Sequence, residues 1–204
     1  MPLPNAATRS GEKIKGAHEN RRLGDFSHPD GMDRWVSNID TIVHLAARAH
    51  IMTETSPDPL AEFRRANVEG TRSLAEAAER EGVQRLVFVS TAKVNGEATA
   101  GRPFSEADHP SPEKPYGKSK WEAEQLFSEV GSRGRLETVV LSVPLVYGSR
   151  VKANLLSLLK LCDTHLPLPL GAIADNRLSL IYVGNLAAGI TATAAWYRST
   201  KYTE

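Results

Sequence analysis

Tyr116 and Lys120 stand four residues apart in the run Pro115-Tyr116-Gly117-Lys118-Ser119-Lys120, with the pair Ser90-Thr91 about 25 positions upstream. On a helix that spacing puts the phenol and the amine on one face. A tyrosine hydroxyl, with its pKa near 10, is a poor base at neutral pH. An ammonium held beside it favours the phenolate and lowers that value. A hydroxyl such as that of Thr91 can hydrogen-bond the same substrate oxygen while the proton moves. Such a trio suits taking a proton from an alcohol as hydride leaves its carbon. Other side chains carry less chemistry. His44 reads as a core polar group, since no metal-ligand spacing surrounds it, and no metal is expected. Cys162 has no closely flanking charge and reads as a small packing residue.

The elements that must position the trio follow from the apolar patterning. Thr41-Ile42-Val43-His44-Leu45 is a short apolar run ending in Ala46-Ala47, as a buried strand entering a loop does. Over residues 60–81, Leu60, Phe63, Asn67, Thr71, Leu74 and Ala78 fall three or four apart, which predicts one amphipathic helix stopped at Gly82. Leu86-Val87-Phe88-Val89 predicts a second strand closing on Ser90-Thr91. A helix over 116–130 and a third strand over 138–141 come next, the latter ended by Pro144. Helix over 154–161, strand over 178–183 and helix over 186–196 complete the chain. Strands alternating with helices predict an α/β parallel sheet covered on both faces. In such a sheet ligands sit beyond the carboxyl ends of the strands, where Ser90-Thr91 lies. Residues 1–38 carry only isolated apolar residues and read as irregular chain, with one short helix around 31–37.

Composition narrows the class. Of the 204 residues, 41% are hydrophobic and 24% charged, the profile of a globular chain. Lys plus Arg number 25 against 24 Asp plus Glu, so there is no electrostatic footprint for nucleic acid or an anionic membrane. One cysteine precludes an internal disulfide. No apolar stretch reaches the roughly 18 residues of a membrane span. A cytoplasmic location is the expectation.

The string 115–120, with Val89-Ser90-Thr91 before it, resembles the extended short-chain dehydrogenase/reductase family, and within it the nucleotide-sugar epimerases and 4-ketoreductases of the UDP-glucose 4-epimerase type. Asp40 through Ala47 is similar to the family's third core strand and cofactor-lining loop. Asn67-Val68-Glu69-Gly70-Thr71 resembles its Asn-Val-x-Gly-Thr motif, and Pro144-Leu145-Val146-Tyr147-Gly148 its turn after the catalytic helix and following strand. The resemblance implies NAD or NADP as cofactor and a nucleotide sugar, first of all a UDP-sugar, as substrate. It implies Tyr116 as acid/base, Lys120 as the group that lowers its pKa and holds the nicotinamide ribose, and Thr91 as a hydrogen-bond partner of the substrate oxygen. Leu45, Ala46, Ala47, Asn67, Ser90 and Pro144 would line the dinucleotide, and Asp25 would approach its adenine. Lys93, Asn154 and Arg177 would touch the substrate. A homodimer through the Tyr-bearing helix and its neighbour is also implied.

Several positions depart from that pattern. No strand leads into a Gly-rich turn that could cradle a pyrophosphate; Gly11 and Gly16 follow no predicted strand. The expectation is an incomplete Rossmann-like doubly wound parallel sheet lacking the first βαβ unit, truncated at both ends. Its divisions would be an irregular segment over 1–38, a partial dinucleotide-binding domain over 39–148 and the start of a small substrate-binding part over 149–204. With the strand at 41–45 counted as third and that at 86–89 as fourth, the 3-2-1-4-5-6 order predicts a gap between them. Leu178 stands where an Arg is expected, with Arg177 beside it. Ser142 stands where Arg is frequent, and Gly184 where Asp is. Thr91-Ala92-Lys93 replaces the Thr-Asp-Glu of the dehydratases, so epimerase or ketoreductase chemistry is expected. A non-catalytic, dinucleotide-sensing relative of the same fold is the alternative.

Overall fold

The computed structural model describes residues 5–8, 13–15, 17, 19–22, 32–49, 56–99, 101–149, 153–164 and 177–200. Two three-residue strands come first, β1 (Ala6–Thr8) and β2 (Asn20–Arg22), paired in parallel. The short helix α1 (Asp33–Val36) leads to β3 (Thr41–His44). Pro59 opens α2 (Pro59–Arg64), and the Asp58 side chain caps it by accepting the Ala61 N–H at 3.0 Å. A π-helical turn over Arg65–Glu69 passes the chain into α3 (Gly70–Arg80). Gly82, at φ +74°, supplies the left-handed residue just past that helix. Then come β4 (Arg85–Thr91), α4 (Pro115–Ser132), β5 (Glu137–Val143) and β6 (Leu145–Tyr147). The chain continues through α5 (Ala153–Asp163) and β7 (Leu180–Tyr182) into α6 (Val183–Thr200).

β3, β4 and β5 form a parallel sheet in that order, and β6 pairs in parallel with β7. Alternation along β4 divides its two faces. Leu86 and Phe88 join Leu74, Ala78, Ala123 and Phe127 in the core under α3 and α4. Phe88 stacks on Phe127 at 4.8 Å and on His44 at 5.3 Å. On the opposite face Arg85 is 1% exposed. Its guanidinium pairs with both carboxylate oxygens of Glu137 and donates to the Thr193 carbonyl of α6, tying that helix across the sheet. No helix among the described residues is long and apolar enough to cross a membrane.

The gap expected between residues 41–45 and 86–89 is absent. β3 and β4 are hydrogen-bonded neighbours, in register from Thr41↔Arg85 to His44↔Phe88. Direct adjacency is what strands four and five of a 3-2-1-4-5-6 sheet do. The run at 41–45 therefore takes the fourth place in that order rather than the third expected from the sequence. β1 (Ala-Ala-Thr) and β2 (Asn-Arg-Arg) fall inside the segment expected to be irregular, and neither carries apolar alternation. The helix expected over 60–81 runs nearly as far, but its middle turn is wound as π rather than α.

His44 is buried, and its Nε2 lies 2.9 Å from Thr71 Oγ1. Burial, helped by the positive charge of Lys120, pushes its pKa down to about 3. The unfolded imidazole titrates near 6.5, so the unfolded chain takes up the proton first as the pH falls. The stability that neutral His44 contributes is complete above about 6.5 and is lost towards 3. The expected slope for one proton is about 1.4 kcal/mol per pH unit. Urea midpoints measured between about pH 6.5 and 4.5 should fall less steeply in His44→Gln than in the native chain. Equal slopes would show that His44 is not the group responsible.

Candidate functional site

The carboxyl end of β4 and the first two turns of α4 carry the expected trio. Thr91 ends β4, and its Oγ1 accepts the Lys93 N–H at 3.3 Å, capping a single 3₁₀ turn over Ala92–Val94. Pro115 sits at the first position of α4, where its missing N–H costs no hydrogen bond. Tyr116 follows, half-buried, its ring 6.1 Å from that of Phe63. One turn on, Lys120 is 2% exposed. Its Nζ donates to the Val89 carbonyl at 2.8 Å and lies 3.7 Å from the centre of the Phe88 ring.

These seats determine acidity. Burial lowers the Lys120 pKa to about 7, against the opposing pull of the Glu124 carboxyl. Burial alone raises that of Tyr116. The expected lowering of the phenol by Lys120 is therefore not expressed in this arrangement. The amine is turned down onto the strand carbonyl and the Phe88 ring.

The loop after β3 is held from α2 and α4. Asn67, in the π turn and 2% exposed, accepts the Arg48 N–H at 2.7 Å and donates to the Arg48 carbonyl at 3.1 Å. It also donates to Ser119 Oγ at 3.0 Å, and Ser119 Oγ donates to the Tyr116 carbonyl at 2.9 Å. The side chain expected to line a cofactor is thus spent on shaping the loop that presents Leu45, Ala46 and Ala47. Those three are exposed, Leu45 to 63%. The result is an exposed ledge of Leu45, Ala46 and Ala47 at the strand end.

The other expected residues are placed less uniformly. Ser90 is buried, and its Oγ makes no hydrogen bond. Pro144 is half-buried between β5 and β6. Lys93 is exposed and bonded to Glu97 at 2.8 Å, where Lys114 also binds at 3.0 Å. Burial opposes ionisation of Glu97, but these two lysines hold its carboxyl below the usual range. Asn154 lies in the first turn of α5, and Arg177 is exposed just before β7. Both belong to a part of the chain apart from the β4–α4 junction, and Asp25 lies outside the described residues. No group of three or more His, Cys, Asp or Glu among the described residues is placed to hold a metal.

Two contributors were not singled out in the sequence. Glu124 is half-buried one turn beyond Lys120. Gly117 lets α4 approach the turn after Thr91: a Cβ there would stand 2.8 Å from the Lys93 carbonyl oxygen and 3.3 Å from Pro112 Cβ. A backbone carbonyl cannot swing aside as a side chain can. Gly117→Ala should lower stability by about 1–3 kcal/mol, despite the better helix propensity of alanine. Urea denaturation checks this, and a variant at least as stable as the native chain would contradict the close approach.

The NAD dependent epimerase/dehydratase family matches residues 4–203. A UDP-glucose 4-epimerase of Vibrio cholerae is 40% identical over 165 residues, which is 80% of this chain and 50% of that protein. An N-acetyl-alpha-D-glucosaminyl-diphospho-ditrans,octacis-undecaprenol 4-epimerase of Escherichia coli O157:H7 is 31% identical over 82% of this chain and 49% of its own. Among solved structures, a Thermus thermophilus UDP-glucose 4-epimerase complex with NAD superposes with a TM-score of 0.71 at 26% identity, covering 89% of this chain and 61% of that one. The NAD-bound dTDP-glucose 4,6-dehydratase DesIV from Streptomyces venezuelae gives 0.70 at 26%, covering 85% and 54%. The chain spans about half the length of the curated relatives it matches. With its parallel α/β sheet, its strand-end hydroxyl and its helical Tyr/Lys pair, the chain belongs to the NAD-dependent epimerase/dehydratase family.

Proposed function

We propose that this chain carries the acid–base part of an NAD(P)-dependent nucleotide-sugar 4-epimerase or 4-ketoreductase, acting on a UDP-sugar. The observation that carries the proposal is the junction of β4 and α4. Thr91 ends β4 at the carboxyl end of a parallel sheet and Tyr116 opens α4, while Lys120, one turn further on α4, donates to the Val89 carbonyl two residues before Thr91. The likeness to the UDP-glucose 4-epimerase of Vibrio cholerae supports the choice of sugar chemistry.

The residues present fit the nicotinamide side of a dinucleotide. Leu45, Ala46 and Ala47 offer the exposed ledge, and Asn67 fixes the loop that carries it. Bound there, the cofactor would supply the hydride acceptor. The chain's own part is proton handling and positioning. Thr91 Oγ1 would hydrogen-bond the sugar 4-oxygen, and Tyr116, once ionised to the phenolate, would take the 4-hydroxyl proton as the hydride leaves C4. Lys120, which titrates near neutrality, would supply positive charge to the site when protonated. Lys93, Asn154 and Arg177 are proposed substrate contacts, and a homodimer through α4 is proposed from the family resemblance. An epimerase would return the hydride to the other face of the 4-keto sugar, whereas a reductase would work in the single direction.

Dehydratases also occur among the relatives, so that outcome needs a discriminating group. Eliminating water requires an acid and a base beyond the trio. Ala92 has no functional group, and the Lys93 ammonium is engaged by Glu97. Incubation with UDP- and dTDP-hexoses and NAD should therefore yield no 4-keto-6-deoxy product; accumulation of one would overturn the assignment. Tyr116→Phe should lower 4-epimerisation or 4-keto reduction by about 100-fold or more while leaving NAD binding within a few fold. Turnover that survives the substitution would show that Tyr116 is not the base and would favour the non-catalytic alternative.

A further inference from the structure

Several helical hydroxyls in the chain donate back to a carbonyl of their own helix. Ser73, Ser132 and Thr191 do so at exposed positions, the ordinary local habit of such residues. Ser119 on α4 is different. It is fully buried, and besides donating to the Tyr116 carbonyl at 2.9 Å it receives Asn67 Nδ2 at 3.0 Å, from 52 residues away.

The wiring admits one direction. A backbone N–H can only donate, so the Arg48 N–H at 2.7 Å requires Asn67 Oδ1 opposite it. That leaves Nδ2, a donor, facing the Arg48 carbonyl and Ser119 Oγ. A hydroxyl has one proton to give. Because Asn67 already donates to it, Ser119 sends that proton on to the Tyr116 carbonyl. A second path joins the same ends. The Arg48 guanidinium lies 5.4 Å from the centre of the Phe63 ring, and that ring lies 6.1 Å from the ring of Tyr116. The loop after β3 thus reaches Tyr116 at both its main chain and its ring.

We propose that Ser119 is a positioning residue for Tyr116: its hydroxyl relays the Asn67 amide to the Tyr116 carbonyl, so that the loop presenting Leu45–Ala47 and the phenol at the start of α4 are held as one unit. The coupling stands on these hydrogen bonds; its bearing on catalysis rests on the function proposed above. A cofactor seated on the ledge would then find the base already in register with it. Without the relay, only the looser path through Phe63 would join the two.

The test reads each variant of the full chain at the end that it does not touch. Ser119→Ala is read by amide hydrogen exchange at Arg48, whose N–H is bonded to Asn67. Exchange there should quicken by about tenfold, while Val87, inside the β4 ladder, keeps its native rate. Asn67→Ala is read at Tyr116, through the fluorine resonance of a fluorotyrosine-labelled chain assigned with Tyr116→Phe. That resonance should move, and the double variant should move it no further than Ser119→Ala does. Where one of the two variants does not fold, the other carries the test. An unchanged far end in a folded variant would overturn the relay. So would an equal quickening at Val87, which marks general loosening. In turnover of a UDP-sugar, Ser119→Ala should lower kcat by about tenfold and leave KM and the NAD Kd within a few fold. Far ends that respond as expected, in a native chain that turns over no UDP-sugar, would uphold the relay and count against the enzymatic reading.

Discussion

A lysine amine buried on a strand carbonyl and a phenylalanine ring is the contact on which the site depends. Lys120 joins α4 to β4 at the point where Thr91 ends the strand and Tyr116 opens the helix. The contact is costly, since desolvation disfavours the charged form of an amine, and the surroundings share that cost. Phe88 stacks on both His44 and Phe127, so the ring that faces the ammonium is held by two neighbours. His44 stays neutral and adds no repulsion.

The site's second support is a side-chain amide. Asn67 closes a pair of hydrogen bonds on the backbone of Arg48 and a third on Ser119. Through Ser119 it is linked to the Tyr116 carbonyl. The ledge at Leu45–Ala47 and the start of α4 are therefore parts of one network. The π turn at Arg65–Glu69 serves this arrangement. A π turn rotates the side chains that follow it relative to an unbroken α-helix, and Asn67 sits within that turn, aimed inward at 2% exposure.

Much of this was legible from residue types. The β4 and β5 runs and the helix at 116–130 have apolar periods, and the structure carries them. What escaped was of two kinds. Short strands without apolar alternation, such as Asn20–Arg22, leave no signal, so residues 1–38 read as irregular, and placing the run at 41–45 third rather than fourth produced a gap that β3 and β4 do not have. Side-chain direction was the other blind spot. The i, i+4 spacing of Tyr116 and Lys120 gave their shared face correctly but could not show that the amine turns to Val89. Nor could it show that Glu124 lies one turn further along without a hydrogen bond to its Oε1.

Arg85 has a mechanical consequence. Its guanidinium is shared between a carboxylate on β5 and a single main-chain oxygen on α6, at Thr193. Apolar packing between helix and sheet permits sliding, because one methyl group can replace another at little loss. A forked cation does not. A shift of α6 by one residue along the sheet would carry Thr193 out of reach and strand a buried donor, at about 1–3 kcal/mol. The guanidinium thus acts as a pawl, giving α6 one seat on the sheet where greasy contact alone would give it several.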